Sequence, residues 1–305
     1  MTQYVMNRSK LWSRKSKEDK IFDLINLLFL TTLSLVVLYP LYFIIIASIS
    51  NPDSVYNGDV WFWPQGITFE GYERIFQDNR IWTGYKNTVL YTVVGTLVNV
   101  TLTLMAAYAL SRKDLVGRNF FMILFVFTMF FSGGLIPTYL VVKNLGMVDT
   151  MWALIIPKAV AVWNLIVART FFQSTIPDEL LESAKMDGCS NTKFFLKIVL
   201  PLSKPIIAVM VLFYAVTHWN SFFDALIYLN NEDKYPLQLI LRSILIQNEA
   251  SASMVGDVES FAAQQRIADL IKYGVIIVAA IPLLVLYPFI QKYFVKGALI
   301  GSIKG

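Results

Sequence analysis

Charge is scarce in this sequence. Only 15% of its 305 residues are Asp, Glu, Lys or Arg, against about 25% in soluble domains, while 56% are hydrophobic. That shortfall excludes the one or two soluble domains the length would otherwise allow and leaves a polytopic membrane protein. Cysteine and histidine each occur once, as Cys189 and His218. No disulfide can close within the chain, and a His/Cys metal centre lacks its ligands. A G-x-x-x-x-G-K-[ST] loop is missing, so ATP is not bound in the P-loop manner, and so is an HExxH pair or a G-x-S-x-G elbow. No catalytic residue, metal or cofactor is expected on this chain. The net charge of +5 is dispersed along the sequence rather than gathered into the patch a nucleic acid would need.

What is abundant is apolar sequence in long runs. A spanning helix needs roughly 20 predominantly apolar residues. Reading between charged residues gives six such runs, at about 24–50, 87–111, 119–142, 150–168, 205–229 and 270–291. Barrel strands would be about half as long and alternate in polarity, so the fold class is all-α. The first run has a basic leader and ends in Ala-Ser-Ile-Ser, but it far exceeds the 7–15 apolar residues of a cleaved signal. It is expected to stay as a span. Gly133, Gly134 and Pro137 are placed to kink the third run, although close helix packing through small residues is the stronger reading.

Lysine and arginine set the orientation. The arm 1–20, the connections after the second and fourth runs, and the tail carry seventeen of them, against seven in the connections facing the other way. Both termini are therefore expected in the cytoplasm, with 1–20 a basic cytoplasmic arm. Two long connections fall outside. In residues 51–86, Trp61, Phe62 and Trp63 suit a membrane-interface belt better than carbohydrate stacking. Residues 230–266 carry Glu232, Asp233, Glu249, Asp257 and Glu259, the make-up of a solvated loop or of one that docks an external partner.

One cytoplasmic connection, 174–204, is unlike the rest. Between two apolar runs it packs four acids and four lysines. Thr175 is placed to cap a helix with Asp178 in the capping-box position and Pro177 in the first turn. Ile176, Leu180 and Ala184 fall on one face at helical spacing. Gly188 is placed to stop the helix in the left-handed conformation. Ser190 or Asn191 can cap a second helix, and Pro201 and Pro205 break the chain on its way back to the membrane. From Asp178 to Asp187 there are four acids and one lysine. Surface-lying membrane helices are rich in Lys and Arg, so a protein partner fits this helix better than anionic lipid.

Glu182-Ser183-Ala184, two residues, Asp187-Gly188-Cys189, eight residues, then Ile198-Val199-Leu200-Pro201 resembles the "EAA" loop of ABC-importer permeases, which reads E-A-A, two residues, D-G-A, eight residues, I-x-L-P. Ser183 and Cys189 depart from it, and both are small. The stretches AAYALSRKDLVGRNFF, GGLIPTYLVVKNLGMVDTMWALIIP, FYAVTHWNSFFDAL and FVKGALIGSIKG are similar to the carbohydrate-importer branch, which includes maltose-type second permeases and, nearer, lipoprotein/polysaccharide-type permeases. The likeness covers most of residues 20–305. It implies a type I importer-permease fold over 21–305, with a core of five helices crossing over those of a partner permease. It implies a coupling helix seated in the cleft of a cytoplasmic ATPase, carried by Glu182, Ser183, Ala184, Asp187 and Gly188. It further implies a tail, Ser302 to Gly305, that reaches the same ATPase. The partners implied are a second, non-identical permease, two ATPase subunits holding ATP and magnesium, and an external solute-binding protein that delivers a sugar, an oligosaccharide before a monosaccharide.

Polar residues inside spans usually face a bundle interior or a cavity. Here these are Lys158 and Asn164 in the fourth run, and Tyr214, Thr217, His218, Trp219, Asn220 and Asp224 in the fifth. Rings that stack and amides that meet hydroxyls suit a sugar, so Asn164, Tyr214, Trp219 and Asn220 are substrate-pathway candidates. The same groups also serve as inter-helix contacts, and His218 fits a structural hydrogen bond better than a proton relay. Two other readings stand beside the sugar importer. One is an importer permease for a non-sugar solute. The other is an ion-coupled carrier, a class that shows repeats and intramembrane acids; no repeat is visible.

Overall fold

The structure is a computed structural model that describes residues 16–253, 266, 268, 270–285 and 288. Among the described residues every regular element is a helix. The described residues up to Tyr72, with those from 266 to 277, form one compact unit. Those from Glu73 to 253, with those from Val278 on, form a second.

The first unit is dominated by α1, Lys17–Ser48. Ser16 starts it with a reciprocal capping box: its Oγ accepts from the Asp19 N–H, and the Asp19 carboxylate accepts from the Ser16 N–H. Its 32 residues rise to about 48 Å, more than the roughly 30 Å of a bilayer's hydrocarbon. Apolar side chains are exposed along most of it, as a lipid-facing helix carries them. Asn51 then caps the short α2, Pro52–Tyr56, and the exposed Trp61, Phe62 and Trp63 follow. The backbone carbonyls of Trp61 and Phe62 accept from the Tyr39 and Tyr42 hydroxyls of α1.

The second unit is built around α4, Asn79–Ser111, which follows the short α3, Glu70–Gln77. Thr88, Tyr91, Gly95, Asn99, Thr103, Ala107 and Leu110 are its buried residues at helical spacing. They face α8, Val162–Thr175, α11, Lys204–Trp219, and α13, Leu237–Ser253. The seam with α11 is polar. Asn99 Nδ2 lies 3.1 Å from His218 Nε2, and Thr103 Oγ1 lies 2.6 Å from the Tyr214 hydroxyl. Gly95 admits the His218 ring: a Cβ there would lie 2.5 Å from its Nε2. Histidine is thus a structural hydrogen-bonding residue, as its sequence position suggested.

Three further apolar stretches are broken. α5, Arg118–Phe130, and α6, Leu135–Asn144, meet at 116°. The break falls on the expected glycine pair, with Gly134 at φ 87° in a conformation only glycine adopts freely. α7, Trp152–Ile155, runs through the 3-10 turn Ile156–Lys158 and meets α8 at 53°. α10, Asn191–Leu202, contains the π-helical segment Phe195–Val199 and meets α11 at 83°. The fifth apolar run is not one helix to 229 as expected. α11 ends at Trp219, and α12, Phe223–Tyr228, restarts after a gap. Among the described residues two single helices are long and apolar enough to cross a membrane, or up to five spans if each bent pair is one, and α14, Leu270–Val285, is a shorter apolar helix.

Side chains take up backbone donors at several helix starts and turns. The Tyr214 hydroxyl accepts the Ala161 N–H at 3.0 Å, at the start of α8. Thr88 Oγ1 accepts the Leu237 N–H at 2.8 Å, at the start of α13. Asp149 joins two turns. Its Oδ1 accepts from the N–H groups of Asn230 and Asn231, and its Oδ2 lies 2.6 Å from Lys234 Nζ. The Lys234 ammonium and the two N–H groups hold its carboxyl down at about 2.

Gly95→Ala is expected to lower the thermal midpoint in detergent, at a cost of about 1–3 kcal/mol from overpacking, because the hydrogen-bonded imidazole has to move. Gly133→Ala is the control: its Cβ would meet only Pro137 Cβ, at 3.7 Å, and the midpoint should barely change. For Asp149, a depressed folded pKa means that the stabilisation is complete above the unfolded value of about 3.9 and is lost as pH falls toward about 2. Amide exchange over residues 229–235, corrected for intrinsic rates, should keep its protection from pH 7 to pH 5 and lose it below pH 4. Asp149→Asn should remove that protection at neutral pH.

Candidate functional site

The charged connection forms α9, Asp178–Met186, a glycine turn, and α10. The start of α9 differs from expectation. Thr175 is the last residue of α8, and Pro177 is the N-cap, with no side-chain cap bond. Proline fits there because the first N–H groups of a helix have no intrahelical partner in any case. Asp178 and Glu179 complement the helix dipole instead. The buried face also differs. Leu181 and Ala184 are turned inward, while Leu180 is exposed. One helical step rotates the stripe by about 100°, enough to exchange Leu180 for Leu181. These two residues join a core that contains Leu110 of α4, Phe172 of α8 and Phe194 of α10, so α9 rests against the transmembrane helices.

The end of α9 forms as the sequence indicates. Gly188 has φ 71°. The Cys189 N–H donates to Ala184 O at 2.9 Å and the Gly188 N–H to Lys185 O at 3.0 Å, the two bonds of a Schellman motif. Ser190 Oγ then accepts from the Lys193 N–H to open α10. Ser183 turns its hydroxyl back onto Glu179 O at 2.9 Å. That satisfies the hydroxyl within the helix and leaves only its small bulk at the surface.

Two ion pairs tie α9 to the turn between α4 and α5. Lys113 Nζ lies 2.6 Å from Asp178, and Lys185 Nζ lies 3.3 Å from Asp114, whose carboxylate also binds Arg112. The Lys113 ammonium holds the Asp178 carboxyl below the usual range, and the Arg112 guanidinium does the same for Asp114. The pairs cross both ends of α9, so they fix its direction more than its stability; exposed pairs contribute little to the latter. A cavity of about 230 Å³ lies beside them, bordered by Arg118, Gln173, Pro177 and Asp178. Glu182, Met186 and Asp187 point outward. Glu182 has no hydrogen bond or ion pair among the described residues, and Met186 is 89% exposed. The sequence reading singled out neither Lys113, Asp114 nor Met186. An exposed methionine beside a glycine turn is a signal that could have been read; the cross-loop pairing could not.

The polar residues of the spans separate into two groups. Asn164, Tyr214 and Trp219 are buried. The Tyr214 hydroxyl is committed to Thr103 and Ala161, and the Trp219 indole N–H donates to Ala279 O at 3.0 Å. Asn220 is exposed and donates to Val216 O. Lys158 and Asp224, distant in sequence, meet as an ion pair of 2.6 Å. Ser302 and Lys304 lie outside the described residues.

Comparison with known proteins agrees with this geometry. Residues 11–300 match the model of a family described as binding-protein-dependent transport system inner membrane component. The chain is 45% identical to the polygalacturonan/rhamnogalacturonan transport system permease protein YtcP of Bacillus subtilis, over 94% of this chain and all of that one. It is 43% identical to protein LplC of the same organism, over 95% and 97% of the two chains. A crystal structure of a bacterial ABC transporter involved in the import of the acidic polysaccharide alginate superposes with a TM-score of 0.81 at 33% identity, covering 92% of this chain and 99% of that one.

A Cβ on Gly188 would meet nothing within 4 Å, so substitution tests the backbone alone. Gly188→Val should cost about 1–2 kcal/mol and expose the turn to limited proteolysis between 186 and 191. Gly188→Asn, which tolerates the left-handed conformation, should stay resistant.

Proposed function

We infer the function from one premise: the chain belongs to the family of binding-protein-dependent transport system inner membrane components, and is a multi-pass permease subunit of the bacterial plasma membrane. Its cargo is a saccharide, and an oligosaccharide rather than a monosaccharide. The polygalacturonan/rhamnogalacturonan and alginate relatives support that reading, and alginate extends the class to acidic saccharides. In the full reading six helices cross the membrane with both termini in the cytoplasm. A second, non-identical permease completes the pathway, an external binding protein delivers the cargo, and two ATPase subunits holding ATP and magnesium supply the work. This chain itself catalyses nothing.

The observation that carries the coupling role is the outward face of α9. Its inner face, Leu181 and Ala184, is packed on the transmembrane core, and its ends are held by Lys113 and Asp114. A force applied to α9 therefore passes into α4, α8 and α10, not into a loose loop. Glu182 is left to meet a cation or backbone donors in an ATPase cleft, Met186 to fill an apolar gap there, and Ser183 to let the surfaces approach. Gly188 keeps the turn tight beneath them. Along the pathway, Asn220 offers an exposed amide, while Asn164, Tyr214 and Trp219 shape the wall from behind.

Purification of the complex from native membranes in mild detergent tests the reading. ATPase subunits and a second permease should co-purify, with hydrolysis stimulated by a loaded binding protein. Reversing the charge in Glu182→Lys should leave the protein inserted but cost about 2 kcal/mol or more at a desolvated contact, at least about a tenfold loss of transport. Gly188→Pro should likewise leave insertion intact and uncouple hydrolysis from transport. Normal transport by both variants would remove α9 from the coupling role. A lone chain that transports without ATP would replace the importer with an ion-coupled carrier.

A further inference from the structure

The spans break twice at one place. The 3-10 turn that ends at Lys158 interrupts the α7–α8 pair, and the gap between Trp219 and Phe223 separates α11 from α12, which begins Phe223-Asp224. α12 packs on α7, and there Lys158 Nζ reaches both carboxylate oxygens of Asp224, at 2.8 and 2.6 Å. Lys158 lies inside the fourth apolar run, nine residues after Asp149 and eleven before Arg169, and Arg169 donates to Leu110 O at the end of α4. Non-helical backbone inside a span is tolerated where it lines a cavity or is buried in protein.

Charges there are costly and mark function by default. The Lys158–Asp224 pair is unevenly exposed: the Lys158 side chain is 63% exposed and that of Asp224 only 20%. The carboxylate is the inner partner, and the ammonium, which has three donors, is presented outward with capacity left over. Asn220, at the other edge of the α11 break, is also exposed. A cation presented outward from its carboxylate partner can take a ligand that carries its own carboxylate.

We propose that Lys158, held by Asp224 where the two broken spans meet, is a cargo-contact site that takes the carboxylate of an acidic saccharide. Asp224 is the resident stand-in. It holds the ammonium in place while no cargo is present and shares it when a uronate group arrives. This rests on the oligosaccharide reading above and narrows it to uronate-bearing chains.

The experiment is uptake of labelled trigalacturonate and of neutral galactotriose by cells carrying chromosomal variants, with membrane levels measured by immunoblot. Lys158→Gln should lower trigalacturonate uptake at least tenfold and change galactotriose uptake less than twofold, while Lys158→Arg restores most of the acidic uptake. If trigalacturonate alone is imported, rescue by Arg and not by Gln supports the site. Should Lys158→Gln fail to accumulate, the double variant Lys158→Gln/Asp224→Asn, which leaves no lone charge, is measured instead and should show the same selective loss. Equal loss of both sugars, or no loss of either, overturns the proposal in favour of a structural pair. A wild type that imports galactotriose but not trigalacturonate overturns it too, yet leaves the oligosaccharide reading standing. A wild type that imports no saccharide sinks that reading itself.

Discussion

The N–H of Ala161 opens a helix in the middle of an apolar run, and the Tyr214 hydroxyl accepts it. The rest of the second unit depends on contacts of this kind. In a bilayer each backbone donor or acceptor has to be satisfied by the protein itself, and this chain breaks three of its apolar stretches. α4 carries Thr88, Asn99 and Thr103 on its buried face where a soluble helix would carry leucine. Their hydroxyls and amides hold α11 and α13. A polar stripe down the central helix is the physical counterpart of broken neighbours.

The same logic links the cytoplasmic end to the membrane core. α9 is short, nine residues, and helices of that length are marginal alone. It is stabilised by burying Leu181 and Ala184 and closed by the Schellman bonds of Gly188. Because its inner face belongs to the core shared by α4, α8 and α10, motion of α9 has to move the helices that flank the broken spans. The proposed coupling would act through this core, which extends from Leu181 and Ala184 of α9 to Phe172 and Leu165 of α8.

Much of this was legible residue by residue. Gly134 at the bend, Gly188 at the turn and Ser190 as a cap follow from local chemistry, since each acts on backbone within a few residues of itself. The "EAA" spacing points to the transport family. Where the reading slipped, the competing forces were tertiary. Thr175 is a fair cap by sequence, but α8 runs through it and Pro177 takes the cap position. Leu180 and Leu181 are adjacent leucines, and only the position of the core decides which is buried. The fifth apolar run has composition enough for one helix, yet it stops at Trp219, whose indole is held by Ala279 O.

The sequence by itself determined that the protein is helical and membrane-embedded, that turns fall at Gly134 and Gly188, and which of its loops is unlike the others. Those properties depend on composition and on neighbours three or four positions away. The tertiary structure alone decided the partners: Lys113 with Asp178, Asp114 with Lys185, Lys158 with Asp224, and Tyr214 with Thr103 and Ala161. These pairs are separated by some 50 to 110 residues in the chain. Their meeting depends on how broken helices pack around α4, a constraint that no local window of sequence contains.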